Sequence, residues 1–331
     1  MGAKLVLLVT GRCSSNCFYC PLSSEKRGKD SIYADELRVE DPSDIIYEAK
    51  MIDALGAGIT GGDPLEVPER TCDYIELLKD EFGERFHIHL YTSKTVPSII
   101  RDMEESGLDE IRFHPPPNTW DKIAGSDYSE AFRVVTEGKM DLGVEIPVLP
   151  GEREKTKALL RSLGELGVQF VNLDELEFSE TNWMKLRKKG YDTKDDISSA
   201  VAECDELARQ LLDEDLDLSI HYCSSSFKDG VQLKNRIMRR AHNIAGDWEM
   251  ITPDGTLYKG IIEGQDPEEL KEEVKKLFDV PDKLLNLDYE KSRLEIAPWV
   301  LIEIASDIEL PCFLVEEYPT ADRLEVEREP L

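Results

Sequence analysis

The sequence predicts an α/β fold with a separate α+β portion at its C-terminal end. Short apolar segments, typical of buried strands, alternate with longer amphipathic segments, typical of helices, over roughly the first 190 residues. Such alternation predicts a parallel sheet with helices on its surface. After Glu180 the alternation stops, and a mixture of strand-like and helix-like segments continues to the end of the chain. We therefore predict two domains, residues 1–200 and residues 201–331.

Six strand-like segments are expected in the first domain. Parallel strands need crossover connections, so the amphipathic segments between them are predicted to be helices. The carboxyl ends of the strands then lie at one edge of the sheet, where barrels of this kind place their functional residues. The strands are predicted at 4–10, 58–60, 86–91, 110–114, 144–149 and 169–173, and the helices at 42–55, 72–79, 96–106, 129–140 and 154–166.

The second domain is predicted to cover the open side of the barrel. Its clearest local signal is the turn sequence Thr252–Gly255 between two strand-like arms, which predicts a β-hairpin over 248–262. The remaining elements are predicted as helices at 195–213, 227–244 and 267–278 and strands at 216–223, 311–315 and 323–326.

The charge balance limits the partners. Forty basic residues against 69 acidic ones give the 331-residue chain a formal net charge of −29. Binding to nucleic acid or to an anionic membrane is therefore disfavoured, since both are polyanions. The N-terminal apolar run is too short for a signal peptide, and no stretch reaches the about 20 apolar residues that span a bilayer. We expect a cytoplasmic protein whose cysteines are kept reduced.

Three cysteines, Cys13, Cys17 and Cys20, lie in one short loop directly after the first predicted strand. Cysteine thiolates are the usual ligands of iron–sulfur clusters, and a [4Fe–4S] cube normally takes four of them. No fourth cysteine follows within about fifty residues. The spacing therefore predicts a cluster with one iron left open for chemistry, as a catalytic zinc ion keeps one position open.

The sequence gives less support to two other roles for the cysteines, a structural zinc site and a disulfide framework. A structural zinc site would need a second close pair of cysteines, and the other four are scattered singly. A disulfide framework is not expected, because the total of seven cysteines is odd and nothing marks the chain for export. An auxiliary cluster would have to use widely separated residues, Cys204, Cys223 and Cys312.

The pattern Cys-x-x-x-Cys-x-Tyr-Cys resembles the signature loop of the radical S-adenosylmethionine (radical SAM) enzymes. This resemblance implies a partial (β/α)6 barrel with SAM chelating the fourth iron of a [4Fe–4S] cluster held by Cys13, Cys17 and Cys20. It also implies that the reduced cluster cleaves SAM to a 5′-deoxyadenosyl radical, which abstracts hydrogen from a substrate. Tyr19, the aromatic residue of the loop, becomes a candidate for SAM binding.

The segment Gly61-Gly62-Asp63-Pro64 follows the second predicted strand. It resembles the Gly-Gly-Glu-Pro-like segment that binds the methionine ammonium group in this family, with a shorter acidic residue in the third position. Gly61, Gly62 and Asp63 are therefore candidates for SAM binding. A plain turn is the alternative. The overlapping match to a dinucleotide-binding fingerprint over 56–61 is disfavoured, because a helix precedes it and the predicted strand lies inside it.

Polar residues near the ends of later strands are further candidates. In the radical SAM family such residues bind the ribose and carboxylate of SAM, which here implies Thr92, His114, Glu145 and Asn172. The alternative is that each is a structural polar group satisfied by its neighbours. Glu175, which follows the sixth strand, is equally open between a ligand contact and a solvated loop.

A polar run at 221–229 contains Cys223 and three serines where a strand is predicted to turn into a helix. Cys223 is a candidate catalytic hydrogen donor or metal ligand, since functional residues concentrate in such connections. The serines are alternatively helix caps. Basic segments at 185–189 and 234–240 are open between binding a phosphate-bearing substrate and pairing with local carboxylates.

The function predicted from these features is radical SAM chemistry under anaerobic conditions. The resemblance is greatest to proteins related to glycyl-radical-enzyme activases, which implies a protein glycine as the hydrogen donor. It also implies a low-potential electron donor such as ferredoxin or flavodoxin. Modification of RNA or of a small metabolite is the alternative among enzymes. A non-catalytic iron–sulfur or zinc-binding module is the alternative of another class.

Overall fold

The computed structural model describes residues 2–195, 198–264 and 266–331. The chain divides into two compact units. The barrel unit comprises Lys4–Ala49 and Ala54–Val231. The C-terminal unit comprises Gln232–Leu331 with two short pieces of chain, Lys50–Asp53 and the residues up to Ala3.

The barrel unit contains a sheet of nine strands in the order β3-β2-β1-β4-β5-β6-β7-β8-β9. Strand β1 and strands β4 to β9 run parallel, and β2 and β3 form an antiparallel hairpin at one edge. The strands are β1 (Lys4–Leu8), β2 (Tyr33–Ala34), β3 (Leu37–Arg38), β4 (Gly56–Thr60), β5 (His87–Thr92), β6 (Glu110–Phe113), β7 (Asp141–Pro147), β8 (Phe170–Asp174) and β9 (Ser219–Cys223).

Helices connect the parallel strands and bury apolar side chains against them. Ile111 and Phe113 of β6, for example, are fully buried, as are Leu159 and Leu163 of the fifth helix. Among the described residues no helix is long and apolar enough to cross a membrane. The helices are α1 (Pro42–Met51), α2 (Pro68–Phe82), α3 (Pro97–Glu105), α4 (Asp127–Thr136), α5 (Arg153–Glu165), α6 (Trp183–Lys188), α7 (Cys204–Leu212) and α8 (Ser225–Phe227).

The predicted α/β architecture is confirmed, with boundaries that shift by a few residues. All six predicted strands are present, and the parallel sheet continues into β9, beyond the expected boundary at residue 200. The reason is that β9 pairs in register with β8, with Cys223 beside Asp174. The hairpin of β2 and β3 was not predicted, since strands of two residues give no alternation to detect.

The C-terminal unit is an antiparallel sheet with helices. Its strand order is β12-β13-β11-β14-β15, and β10 pairs with β11 in the hairpin predicted from the Thr252–Gly255 turn. The expected helix over 227–244 is instead α8, a π-helical stretch at Lys228–Leu233 and α9. The elements are α9 (Lys234–Ile244), β10 (Met250–Ile251), β11 (Leu257–Glu263), α10 (Pro267–Phe278), β12 (Leu285–Asp288), β13 (Arg293–Ile296), α11 (Pro298–Ile304), β14 (Cys312–Glu317) and β15 (Glu325–Pro330).

A buried group of charges lies in the C-terminal unit, which also has an apolar core. Lys259 of β11 is 2% exposed, and its Nζ lies 2.8 Å from Glu249, 2.9 Å from Glu295 and 3.0 Å from Glu317. Charged groups of both signs thus take the place of apolar packing there. The ion cluster consists of Lys259, Lys291, Arg293, Arg323, Glu249, Asp288, Glu295 and Glu317.

Candidate active site

The cysteine loop leaves the carboxyl end of β1 and is closed at its base by backbone hydrogen bonds. Gly11 N–H donates to Lys29 O at 2.8 Å, and Gly28 N–H donates to Gly11 O at 2.7 Å. A Cβ atom on Gly11 would lie 1.7 Å from Lys26 O, so only glycine fits at this closure. Cys13 is exposed and Cys17 and Cys20 are half-buried, and all three are free thiols.

Neighbouring elements hold the cysteine loop from two sides. On one side Ser14 N–H donates to Glu66 Oε1 at 2.9 Å, and the hydroxyls of Ser15 and Ser93 lie 2.8 Å apart. On the other side Asn182, just before α6, donates to Tyr19 O at 3.0 Å. The loop conformation is therefore fixed by residues that follow β4, β5 and β8 in the chain.

Gly61 and Gly62 bring the end of β4 into contact with the start of the cysteine loop. Gly62 N–H donates to Thr10 O at 2.7 Å, and Asp63 N–H donates to Arg12 O at 2.8 Å. A Cβ atom on Gly62 would lie 2.2 Å from Arg12 O, and one on Gly61 would lie 2.4 Å from Thr10 O. In this structure the close approach that the glycines allow is to the backbone of the loop.

The Asp63 carboxylate is buried and accepts four hydrogen bonds. Its Oδ1 accepts from Leu65 N–H at 3.1 Å and from the Thr92 hydroxyl at 2.7 Å. Its Oδ2 accepts from the backbone and the hydroxyl of Ser93, at 2.9 and 2.7 Å. Two predicted site residues, Asp63 and Thr92, are thus in direct contact. The side chain of Asp63 positions the end of β5 and does not stand free for an ammonium group.

Tyr19 and His114, also predicted site residues, are hydrogen-bonded to each other. Tyr19 Oη lies 2.8 Å from His114 Nε2, and Tyr19 is 7% exposed. Burial lowers the pKa of His114 and raises the pKa of Tyr19, so both side chains are neutral near pH 7. The contact links the cysteine loop to the carboxyl end of β6.

Glu145 and Asn172 belong to a polar group on one face of the sheet, centred on Arg112. Arg112 Nη1 donates to Tyr91 Oη at 2.9 Å and to Glu145 Oε2 at 3.3 Å, and it also pairs with Glu110. Asn172 Nδ2 donates to the same Glu145 oxygen at 3.1 Å. Burial and the neighbouring Asp174 raise the pKa of Glu145 well above its usual range, which favours the protonated carboxyl over the carboxylate.

The polar group continues towards β1 on the same face of the sheet through His89. Lys4 Nζ lies 2.8 Å from His89 Nδ1, and His89 Nε2 lies 3.0 Å from Tyr91 Oη. A Cβ atom on Gly58 would lie 2.7 Å from the His89 ring, so glycine makes room for it. Polar side chains of β1, β5, β6, β7 and β8 therefore form one connected group on a single face of the sheet, which is called the polar face below.

Acidic pH is expected to destabilise the barrel unit through His89. Burial lowers the pKa of His89 from 6.5 to about 2, with help from the charges of Arg112 and Lys4. Below pH 6.5 the His89 side chain binds a proton in the unfolded chain but not in the folded chain. Stability from this residue is therefore complete above that pH and falls by about 1.4 kcal/mol per pH unit below it.

Urea unfolding at fixed salt between pH 7 and pH 5 measures this effect. His89→Gln keeps an acceptor for Lys4 and a donor for Tyr91 but does not titrate, so its stability should depend less steeply on pH by about one proton. Parallel pH profiles for the two proteins would show that His89 is not the titrating group.

The carboxyl end of β9 carries Cys223, which is half-buried, and burial raises the pKa of its thiol. Lys228 Nζ lies 3.4 Å from Asp174 and 3.7 Å from Glu177. Asp174 is the last residue of β8, and Glu177 lies in the loop that follows β8. The hydroxyl of Ser224 accepts from Phe227 N–H at 3.3 Å. A serine therefore caps the following turn, as the alternative interpretation of this run expected.

Other candidates from the sequence are structural in their contacts. Glu175 accepts from Ser225 N–H at 2.7 Å and pairs with Lys194. Cys204 is buried and its thiol contacts Val148 O at 3.4 Å, and Cys312 belongs to the apolar core of the C-terminal unit. These three side chains are engaged in holding their surroundings together.

The residues that sequence reasoning missed are those of the polar face. Arg112 donates to Glu145, a predicted site residue, and to Tyr91, and neither Arg112 nor Tyr91 was a candidate. A signal was present in the two segments His87–Tyr91 and Glu110–Phe113, where polar and apolar residues alternate. Strands covered by helices on both faces read as continuous apolar runs, so alternation indicates a polar inner face.

The loop fits an iron–sulfur cube by the chemistry of its donors. It offers three free thiols on a backbone that is anchored on both sides. Among the described residues no group of three or more His, Cys, Asp or Glu side chains meets around one point as the ligands of a single ion do. A cube spreads its protein ligands over separate irons, so its thiolates need not meet in this way.

Two family profiles match the chain. The profile described as the radical SAM superfamily matches residues 7–163. The profile described as a domain of unknown function (DUF8061) matches residues 255–331. The first therefore covers the cysteine loop and β1 to α5, and the second covers most of the C-terminal unit.

Similar proteins are found among curated sequences and solved structures. "Putative glycyl-radical enzyme activating enzyme MJ0021" of Methanocaldococcus jannaschii is 39% identical over 100% of this chain and 90% of its own length. The PqqA peptide cyclase of Streptomyces rochei is 23% identical over 53% of this chain and 49% of its own. The crystal structure of methylornithine synthase (PylB) aligns with a TM-score of 0.44 and 16% identity over 64% of each chain.

Proposed function

The chain belongs to the radical SAM superfamily, and from this premise we propose that it activates a partner enzyme by abstracting hydrogen from a glycine of that partner. It is a radical SAM enzyme, whose cofactors are a [4Fe–4S] cluster and SAM. Membership of an enzyme family removes the alternative of a non-catalytic binding module.

Cys13, Cys17 and Cys20 are the ligands in this proposal, since they are the three free thiols of the anchored loop. When bound, the cluster and SAM supply the 5′-deoxyadenosyl radical that takes the substrate hydrogen. Asp63 and Ser93 fix the loop and the end of β5 against each other. Gly61 and Gly62 allow that arrangement by letting two backbones touch.

The polar face is proposed to receive SAM and the substrate. His114, Glu145 and Asn172 lie on or just beyond the ends of adjacent strands, and Tyr19 joins them through His114. Glu145 accepts hydrogen bonds from both Arg112 and Asn172, which fixes its carboxyl group within this face. Cys223 and Lys228 lie farther along the same edge, at β9, where a substrate chain would be held.

One observation carries the choice of a glycine in a partner protein as substrate. The identity of 39% to the M. jannaschii protein extends over 100% of this chain, so the relative shares the C-terminal unit as well as the barrel unit. The C-terminal unit is therefore part of the same kind of protein and not an unrelated addition.

Anaerobic reconstitution tests the proposal in two steps. The purified chain, loaded with iron and sulfide and reduced with dithionite, is expected to form 5′-deoxyadenosine from SAM. Mixed with a glycyl-radical enzyme from the same genome, it is expected to produce the doublet electron paramagnetic resonance signal of a glycyl radical. A normal cluster without 5′-deoxyadenosine would contradict the radical chemistry. Formation of 5′-deoxyadenosine without any glycyl radical, but with a modified RNA or metabolite, would contradict the proposal that the substrate is a protein glycine.

A further inference from the structure

A basic and apolar surface lies beside the cysteine loop and has no part in the polar face. It is formed by residues 183–189, called here the 183–189 patch. Trp183 is 42% exposed and Met184 is 78% exposed, large values for apolar side chains of their size. Lys185, Arg187, Lys188 and Lys189 add four positive charges, and the patch contains no acidic residue.

The sign of the patch is opposite to that of the chain around it. The whole chain carries a formal net charge of −29. Arg187 pairs with Asp192 and stacks on Trp183, with its guanidinium 5.0 Å from the ring centre. Within the described part of the chain Lys185 and Lys188 form no ion pair. On the surface of an acidic chain most lysine and arginine side chains form ion pairs with carboxylates. Two lysines without such a pair on one short segment therefore suggest a binding surface.

The patch is attached directly to the loop that bears the three thiols. Asn182, next to Trp183, donates to Tyr19 O, and Thr181 donates to Cys20 O at 3.2 Å. Lys189 Nζ lies 4.4 Å from the centre of the Phe18 ring, within the cysteine loop itself. A protein bound on the patch would therefore be in contact with the segment between Cys17 and Cys20.

We propose that the 183–189 patch is the docking surface for a small acidic electron-carrier protein that reduces the cluster. The step transfers one electron. The carrier's flavin or iron–sulfur centre is oxidised by one unit, the cluster is reduced by one unit, and no covalent bond forms or breaks. This inference rests on the proposed function, because it needs the cluster to be held by the neighbouring thiols.

Charge complementarity selects this occupant. An acidic carrier is repelled by the chain as a whole and attracted only where the sign reverses, so it approaches in one orientation. Exposed Trp183 and Met184 supply the apolar contact that a short-lived protein complex needs at its centre. A substrate must enter the polar face, whereas an electron carrier needs only to reach the outside of the cysteine loop.

The other basic segment, 234–240, does not offer the same surface. Lys234 pairs with Asp254 at 2.7 Å, and Arg240 is 5% exposed with its Nε donating to Pro319 O. These two side chains are therefore engaged inside the C-terminal unit, Lys234 through a carboxylate and Arg240 through a backbone oxygen.

The test compares Lys185→Glu/Lys188→Glu with Lys139→Glu/Lys276→Glu, which makes the same charge change at exposed lysines elsewhere. The probe is a recombinant flavodoxin, an acidic flavoprotein. For the patch variant we expect its Kd to rise at least about tenfold, and reduction of the cluster by photoreduced flavodoxin to slow at least about tenfold. The control variant should match the native protein in both. Trp183→Ala should weaken binding at low and high salt alike, because its contribution is apolar.

Dithionite separates this proposal from the proposed function. It reduces the cluster without docking, so the patch variant should form 5′-deoxyadenosine from SAM at the native rate under dithionite. If even the native protein fails with dithionite, the proposed function fails. If the native protein succeeds and the patch variant is reduced by flavodoxin as fast as the native protein, the docking site is refuted. Loss of RNA binding in the patch variant, with flavodoxin reduction unchanged, would likewise refute it.

Discussion

The Cys17→Ala protein is expected to hold no stable [4Fe–4S] cluster and to form no 5′-deoxyadenosine above background. Cys17 is the middle thiol of an anchored loop that supplies three ligands. A cube needs thiolate ligands on most of its irons, and with two thiols left it would have two irons without a protein ligand. Iron and sulfide content after anaerobic reconstitution, together with chromatographic assay of 5′-deoxyadenosine, measures the loss.

Cys72→Ala is the matched control. Cys72 is also a half-buried free thiol, but it lies on α2 and not in the cysteine loop. The variant should keep its full content of iron and form 5′-deoxyadenosine at the native rate. Equal loss from both variants would refute the ligand assignment, and a Cys17→Ala protein with a normal cluster would do the same.

The fold was predictable because it depends on short-range patterns. Buried parallel strands are apolar runs, and the helices between them repeat apolar residues at helical spacing, so both are visible within a few residues. The turn Thr252–Gly255 likewise predicted the hairpin of β10 and β11. The placement of β9 was not predictable from its own residues, because pairing with β8 is a contact between segments far apart in the chain.

The site was predictable in its residue types and not in its contacts. The spacing of the cysteines predicted the loop, and positions on or just after the strands made Thr92, His114 and Asn172 candidates, which they remain. That Asp63 bonds to Thr92 and Ser93, or that Arg112 contacts Glu145, depends on side chains of different strands meeting. Those contacts follow from the register of the sheet, which no single segment encodes.

The ion cluster of the C-terminal unit escaped prediction for a related reason. In a sequence with 69 acidic residues, each glutamate and lysine resembles part of a solvated surface. Lys259 lies on β11 within a largely apolar strand, and that was the available signal. A lone charge among buried positions requires a partner inside the protein.

Replacing Lys259 by methionine is expected to destabilise the C-terminal unit by about 3–5 kcal/mol. Methionine fills a similar volume, but Glu249, Glu295 and Glu317 lose the cation that contacts all three. Arg293 and Arg323 still contact the last two, whereas among the described residues the Glu249 carboxylate keeps only the Gly246 N–H. Hydrogen–deuterium exchange of the peptides covering β11 and β14 measures the loss in the full-length protein.

Lys234→Met is the matched control, since Lys234 is paired with Asp254 in the same unit but its side chain is 42% exposed. Its cost should be within about 1 kcal/mol. If the two variants lose the same free energy of unfolding, the burial of Lys259 does not determine the cost of removing its charge. Adding Glu249→Gln to Lys259→Met should recover part of the loss, because it removes the carboxylate that has lost its partner.

Lowering the pH should narrow the difference between the native protein and Lys259→Met. Burial alone would raise the pKa of Glu317, but Lys259, Lys291 and Arg293 outweigh burial and hold it at about 2. In the native protein the stability that this carboxylate contributes is complete above pH 4.5 and is lost as the pH falls towards 2. Without Lys259 the folded state binds a proton more readily, so acid relieves the repulsion among the remaining carboxylates. Exchange rates at pH 7 and pH 5 that differ by the same factor in both proteins would show that Lys259 does not control these carboxylates.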